Sequence, residues 1–143
     1  MKIWGTDSDP RDYGYYMPGE WYRHDCCWMA WPCRDALWSN NEKTMKEYAD
    51  VALTIARYEP LKMLVASEKI ATAEHYLNEN IEIIELKIDD SWTRDSGPNF
   101  LIGGEKLAGT DWIFNAWGEK YHPYDNDASM AKRIMELSDA DCF

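Results

Sequence analysis

Blocks of apolar residues separated by turn-forming residues predict strands that alternate with helices. Residues 26–31 form a short apolar run that Pro32 stops, which is typical of a buried strand. Residues 61–66 predict a second strand. Residues 81–88 predict a third and are rich in the branched side chains that strands favour. Strands that alternate with helices indicate an α/β fold.

Helical periodicity fills the gaps between these strands. Ser39 and Glu42 have the spacing of a capping box, so we expect a helix to begin there and to end near Pro60. Its apolar residues recur at intervals of three and four: Met45, Tyr48, Val51, Ala52 and Ile55. Ser67 is expected to cap a second helix that runs through Leu77.

The remaining segments predict an arm, a hairpin and a last helix. Residues 1–20 contain two prolines and three glycines and are predicted to form an extended arm. Residues 99–102 and 106–114 flank Gly103 and Gly104, which favours a hairpin. Residues 128–137 predict the last helix.

Composition and charge narrow the class of protein. With 45% hydrophobic and 29% charged residues the chain is globular, and its formal charge of −11 argues against nucleic-acid binding. The negative charge could attract small cations, or it could serve only to keep the protein in solution. No run approaches the roughly 20 apolar residues of a membrane span, and the first residues are too polar for a signal peptide. We therefore expect a cytoplasmic protein with no membrane partner.

The four cysteines do not have metal-site or disulfide spacing. They are Cys26, Cys27, Cys33 and Cys142. Adjacent Cys26 and Cys27 do not match the paired two-residue spacing of a zinc motif, so in a cytosolic chain we expect reduced packing residues and no metal.

The polar loop 89–98 is the first candidate site. Asp89, Asp90 and Asp95 stand beside Trp92 and Arg94. Carboxylates can accept paired N–H groups from a guanidinium, and an indole can stack on its flat face. Equally, the aspartates could form turns or caps, Arg94 and Asp95 could form an exposed ion pair, and Trp92 could be core.

A second candidate is the aromatic stretch 111–127. Trp112, Asn115 and Trp117 could wall a pocket, and Gly118 permits an unusual backbone turn. The alternative is a strand of core aromatics that leads into a turn.

Four motifs together resemble one enzyme family. DYGYYMPGEW, WMAWP, DDSWTRDSGP and DWIFNAWGEKYHPYDND occur in the order and at about the spacing of the agmatine deiminases and the related bacterial peptidyl-arginine deiminases. The resemblance covers almost the whole chain. It implies a pentein fold, an α/β-propeller of five modules. Because a complete member is more than twice as long, residues 1–143 would be the N-terminal portion of that single domain and would build about two modules.

The resemblance also implies a reaction. A cysteine thiolate attacks the guanidinium carbon, ammonia leaves, and water releases the thiouronium intermediate, so that agmatine becomes N-carbamoylputrescine on the route to putrescine. No metal or cofactor is implied. Asp95 matches the first catalytic carboxylate and Trp92 the tryptophan that lines the substrate pocket, while Asp90 and Trp117 have supporting, substrate-binding positions.

Several family features have no counterpart. His24, His75 and His122 do not match the catalytic histidine segment, and none of the cysteines has the nucleophile's setting. We therefore expect this chain to lack the catalytic Cys and His. The stretch from Phe114 to Trp117 has no cationic side chain that would hold the carboxylate of an arginine substrate, which favours agmatine.

Two further alternatives stay open. The chain could be a non-catalytic remnant that binds a cationic guanidine or a protein partner, or it could belong to a peptidyl-arginine deiminase. A partial array of modules would expose faces that normally pack against neighbours. Such a chain is expected to self-associate or to need the missing C-terminal modules.

Overall fold

The computed structural model describes residues 1–5, 7–38 and 42–143, which form two compact units. The central unit is Arg23–Thr93. The N/C unit combines Met1–Tyr22 with Arg94–Phe143. In the described residues no helix is long and apolar enough to cross a membrane.

The central unit is a parallel sheet with helical crossovers. Its strands pair in the order β1-β2-β3, with Cys27 opposite Leu61 and Leu61 opposite Ile81. Parallel neighbours cannot be joined by a tight turn, so a helical connection lies between each pair. In chain order the elements are β1 (Cys27–Ala30), α1 (Asp35–Trp38), α2 (Glu42–Ile55), β2 (Leu61–Val65), α3 (Ile70–Tyr76) and β3 (Ile81–Glu85).

The core of the central unit lies between this sheet and its helices. Alternate residues of β2 meet the inner face of α2, and Trp31 is fully buried at the end of β1. Burying each large apolar side chain contributes about 1.5–3 kcal/mol. The buried cluster contains Trp31, Met45, Ala49, Ala52, Leu61, Met63, Val65, Ala73, Leu77 and Ile81.

The N/C unit has shorter strands. The chain passes from one unit to the other within the helical turn α4 (Thr93–Ser96). Strands β4 and β5 pair antiparallel, and β6 pairs parallel with β5. The elements after α4 are β4 (Asn99–Leu101), β5 (Ala108–Thr110), α5 (Ala116–Glu119), α6 (Asp125–Ala128), α7 (Met130–Leu137) and β6 (Asp141–Cys142).

The first residues of the chain add to this second sheet. Ile3 bridges Cys142, and Tyr16 bridges Ile102. Between them the chain forms a 3₁₀ turn, Pro10–Tyr13, whose N-cap Asp9 accepts from the backbone N–H of Arg11. The arm is therefore strand-like at two points and helical at one.

Helix α7 approaches the second sheet closely at Gly109. A Cβ atom there would lie 2.7 Å from Met135 Sδ, so glycine makes room for the helix. Met135 packs in a buried cluster with Ala131, Ala140 and Cys142, and Phe100 covers its edge.

The structure confirms the α/β class, the three strands of the central unit, the long helix that ends before Pro60 and the hairpin. Ser39, the predicted cap of that helix, lies outside the described residues. The cap predicted at Ser67 is wrong, because its hydroxyl donates to Glu85 instead. β3 ends at Glu85 and β5 at Thr110, both earlier than predicted, while α1 and β6 were not predicted.

Candidate functional site

Asp90 is a buried carboxylate in the central unit. Only 2% of its surface is exposed. Its Oδ1 accepts hydrogen bonds from Trp38 Nε1 at 2.7 Å and from the Ser91 backbone N–H at 2.8 Å. Arg34 Nε lies 3.3 Å from Oδ2. A charge can remain buried only with such partners, so Asp90 and its neighbours fix one another.

Trp92 is held next to this network. Its ring lies 5.7 Å from the ring of Trp38, at an interplanar angle of 35°, and 45% of its surface is exposed. Tyr48 also contacts Trp38, edge-on at 5.7 Å, and donates its hydroxyl to the Ala30 carbonyl at 2.7 Å. The partly buried Trp38 thus packs against Trp92, while much of the Trp92 indole stays accessible.

Burial and charge also affect Tyr48. Burial raises the pKa of its phenol well above the usual range, and the negative charge of Asp90 adds to the effect. Tyr48 is therefore a neutral packing and hydrogen-bonding group at physiological pH.

Asp95 lies in the N/C unit and is exposed. Its Oδ1 is 3.4 Å from Trp117 Nε1, which is long for an N–H···O hydrogen bond. Arg94 Nη2 donates to Glu20 at 2.7 Å, and this bond is the main cause that raises the pKa of Arg94. Arg94 thus forms its close ion pair with Glu20, and the charge of Asp95, considered above as its partner, adds more weakly to the raised pKa.

An unusual backbone positions Trp117. Four consecutive residues have positive φ: Ala116 at 49°, Trp117 at 56°, Gly118 at 81° and Glu119 at 60°. Residues other than glycine rarely adopt such angles, and strain of this kind collects at functional sites. The Asn115 side chain stabilises the turn by accepting from the Gly118 N–H at 3.0 Å.

Aromatic rings flank Trp117 on two sides. Phe114 and Tyr121 lie edge-on to it, at 5.4 Å and 5.9 Å. Trp112 points elsewhere, donates to Asn99 Oδ1 at 2.7 Å and is 66% exposed. The aromatic stretch is therefore a mostly exposed cluster and not the core strand considered as the alternative.

The predicted site residues divide evenly between the units. Asp90 and Trp92 belong to the central unit, and Asp95 and Trp117 to the N/C unit. Sequence reasoning missed Trp38 and Arg34, which hold Asp90 from more than 50 residues away. Their only sequence signal was an arginine and a tryptophan just after the first strand.

Three of the cysteine thiols are poor nucleophiles in their surroundings. Burial raises the pKa of Cys26 and Cys142. Burial, followed by the hydrogen bond to Glu59, raises the pKa of Cys27 to about 12. A reactive cysteine needs the opposite environment, one that stabilises its thiolate.

Sequence comparison identifies the class of protein to which these features belong. The profile of the Porphyromonas-type peptidyl-arginine deiminases matches residues 16–143. The chain belongs to this family. The resemblance found in the four sequence motifs is thereby confirmed.

Individual relatives sharpen the comparison. A protein of Legionella pneumophila is 47% identical over 141 residues, which cover 96% of this chain and 40% of the relative. The agmatine deiminase of Stutzerimonas stutzeri is 41% identical over 143 residues, covering 94% of this chain and 38% of its own length. The solved agmatine deiminase of Enterococcus faecalis superposes with a TM-score of 0.92 at 31% identity, covering 99% of this chain and 40% of that structure.

The chain spans about 40% of the length of these relatives. The α/β fold is shared with them. The number of propeller modules stays a prediction.

Proposed function

We propose that this chain forms the part of an agmatine deiminase that binds the substrate guanidinium, with Asp95 as the binding carboxylate. The observation that carries the proposal is the contrast between Asp95 and Asp90. Asp90 is buried and its oxygens face close partners, whereas Asp95 is exposed and accepts a long, 3.4 Å hydrogen bond from Trp117. A carboxylate with accessible oxygens can accept two parallel N–H groups of a guanidinium.

Each hydrogen bond to a charged group contributes about 1.5–3 kcal/mol, so a two-point grip orients the guanidinium carbon for attack. In the proposed reaction a thiolate adds to that carbon and ammonia leaves. Water then releases N-carbamoylputrescine. The contribution of Asp95 is to hold the guanidinium charge and its plane while the bonds change.

The indoles receive supporting roles. Trp92 is 45% exposed and packs against Trp38, so the exposed part of its indole suits stacking on a planar cation. Trp117 would donate to Asp95 and limit its rotation. Asp90 is better suited to positioning Trp38, and through it Trp92, than to direct contact with substrate, because its carboxylate is buried.

We infer that the nucleophile is not Cys26, Cys27 or Cys142. Their raised pKa values leave little thiolate at neutral pH. The catalytic thiol and histidine would come from outside this 143-residue chain, as the family motifs imply.

Agmatine is the preferred substrate for two reasons. The stretch from Phe114 to Trp117 has no cation to pair with the carboxylate of an arginine, and the chain's charge of −11 attracts a diamine-like dication. The relatives from Stutzerimonas stutzeri and Enterococcus faecalis are named agmatine deiminases. Peptidyl-arginine deimination is the second candidate, because the family profile carries that name.

A chimera tests the proposal. Residues 16–143 would replace the corresponding segment of the Stutzerimonas stutzeri agmatine deiminase, and ureido product would be measured with agmatine and with a peptidyl-arginine. We expect the chimera to turn over agmatine. In Asp95→Asn the turnover rate should fall on the order of 100-fold, which corresponds to the loss of about one charged hydrogen bond. Asp50→Asn is the matched control, because that carboxylate is exposed and pairs with Lys46 on the same helix, α2.

Three results would redirect the proposal. Equal activity of Asp95→Asn and the control would remove Asp95 from the site. A preference for the peptidyl-arginine would select the second candidate. Turnover by the unmodified 143-residue chain would show that its own cysteines suffice, whereas agmatine binding without turnover in the chimera would favour a non-catalytic remnant.

A further inference from the structure

Three side chains with different donor atoms meet at the amino ends of β1 and β2. They are His24, Cys27 and Glu59, all in the central unit. The imidazole nitrogen, the thiol sulfur and a carboxylate oxygen lie within 4.8 Å of one another. None of the three belongs to the site proposed above.

The fold itself brings these residues together. Cys27 is the first residue of β1, and its backbone N–H donates to the Pro60 carbonyl at 2.8 Å. Glu59 precedes that proline in the turn between α2 and β2. The start of the parallel pairing, Cys27 opposite Leu61, therefore sets the distance between the thiol and the carboxylate.

The side chains converge on the Glu59 carboxylate. Its Oε1 accepts from Cys27 Sγ at 3.1 Å, and its Oε2 is 2.9 Å from His24 Nδ1. Exposure decreases from His24, with 44% of its side chain accessible, to Glu59 at 27%. The group is open to solvent on the His24 side.

We propose that His24, Cys27 and Glu59 form a binding site for one divalent ion of the zinc class. Sulfur, imidazole nitrogen and carboxylate oxygen are the three donors that Zn²⁺ accepts in proteins, at about 2.0–2.3 Å. Donors of one tetrahedral ion then lie roughly 3–4 Å apart, close to the separations present here. Water would take the fourth position, on the exposed side.

Charge balance favours this occupant. On binding, the thiol loses one proton to solvent, and the thiolate and carboxylate together neutralise the ion while the imidazole stays neutral. An acidic chain with a formal charge of −11 adds long-range attraction for a cation. Hard ions such as Mg²⁺ prefer all-oxygen sites and would be disfavoured by the sulfur.

The position of the site indicates what the ion does. His24 precedes β1 and Glu59 precedes β2, whereas Asp90 and Trp92 follow the carboxyl end of β3. An ion at the amino ends of the strands would join the entry to β1 to the turn before β2. Its effect would be to stabilise the central unit and not to take part in guanidine chemistry.

Cobalt provides a direct test on the purified 143-residue chain. After chelator treatment, Co²⁺ would be titrated and the thiolate-to-cobalt absorption recorded, and Zn²⁺ would then be added in competition. We expect one Co²⁺ per chain, an absorption band from a sulfur ligand, and displacement by Zn²⁺. A chain that gives no such band would overturn the proposal and leave a hydrogen-bonded group only.

Variants assign the ligands. Cys27→Ser should abolish the band, while Cys26→Ser, the matched control at the neighbouring thiol, should retain it. His24→Gln and Glu59→Gln should each weaken Zn²⁺ binding at least tenfold, and circular dichroism would verify their fold. Because these two side chains are partly exposed, their substitution should not unfold the chain, so the two variants test the site even if Cys27→Ser fails to fold. A band that persists in Cys27→Ser, or unchanged affinity in both other variants, would contradict the assignment.

Discussion

The central unit and the N/C unit each contain a carboxylate that accepts a hydrogen bond from an indole, yet the two pairs differ in burial and in the length of that bond. In the central unit Trp38 donates to Asp90 at 2.7 Å, and Asp90 is 2% exposed. In the N/C unit Trp117 donates to Asp95 at 3.4 Å, and Asp95 is exposed. The same two chemical groups are closely packed in one unit and loosely joined in the other.

The comparison distinguishes a carboxylate that positions other side chains from one that can bind a ligand. A buried charge needs partners within the protein: Asp90 Oδ1 accepts from Trp38 and Ser91, and the charge of Arg34 lies 3.3 Å from Oδ2 without a hydrogen bond between these two atoms. An exposed carboxylate with one long hydrogen bond can exchange that partner for a ligand at little cost. Asp95 is therefore the group suited to substrate, and Asp90 the group suited to holding an aromatic wall.

The largest expected effect on stability is that of Asp90→Asn. The change keeps the shape of the side chain but removes the negative charge that lies 3.3 Å from Nε of Arg34, a side chain that is 13% exposed. Breaking a buried ion pair costs about 3–5 kcal/mol, so the free energy of unfolding in urea should fall by that amount. Asp95→Asn is the matched variant and should change it by less than about 0.5 kcal/mol. Equal losses of unfolding free energy in the two variants would show that burial does not distinguish the two aspartates.

Trp38→Phe tests the indole side of the same comparison. Phenylalanine keeps an aromatic ring but removes the N–H that satisfies Asp90 Oδ1, so we expect a loss of about 1–3 kcal/mol. Trp117→Phe removes a long, exposed bond and should leave the unfolding free energy nearly unchanged. Chemical unfolding followed by far-UV circular dichroism measures both. A larger loss in Trp117→Phe would mean that the N/C unit depends on that contact for its fold.

Gly118→Ala asks whether the left-handed turn at Trp117 is strained. The added Cβ has no atom within 4 Å, but φ is 81°, which an L side chain adopts at a cost of roughly 1–2 kcal/mol. We expect a fall in melting temperature without a packing defect. Gly5→Ala is the control, because its nearest contact would be at 3.9 Å. An unchanged melting temperature would show that the turn adapts.

The smallest expected effect is a pH dependence that belongs to Tyr48. Burial raises the folded-state pKa of Tyr48, whereas the pKa of an unfolded tyrosine is about 10. Its contribution to stability is therefore fully present below that pH and is lost as the pH rises above it. Tyr48→Phe should make the free energy of unfolding fall less steeply above pH 10. The same slope in both proteins would mean that Tyr48 ionises freely when folded.

Much of the central unit could be predicted because its signals are local. Apolar runs bounded by turn residues located β1, β2 and β3, and the three-four periodicity located α2. Capping was less predictable: Ser67 was expected to cap the helix that follows it, but its hydroxyl donates to Glu85 at the end of the neighbouring strand β3. Where a side chain has several possible hydrogen-bond partners, the tertiary structure determines which of them lies close enough to bond.

The α/β class, the family and the four candidate residues could be read from the chain alone, because they depend on periodicity and on motifs contiguous in the sequence. Which of the two aspartates is buried could not, since Asp90 and Asp95 lie five residues apart and Asp90 differs by its contacts with Arg34 and Trp38, which are distant in sequence. Tertiary structure also decided that Glu59 meets His24 and Cys27. The physical reason is the same in each case: parallel strands bring together residues tens of positions apart, and local patterns carry no record of which strands pair.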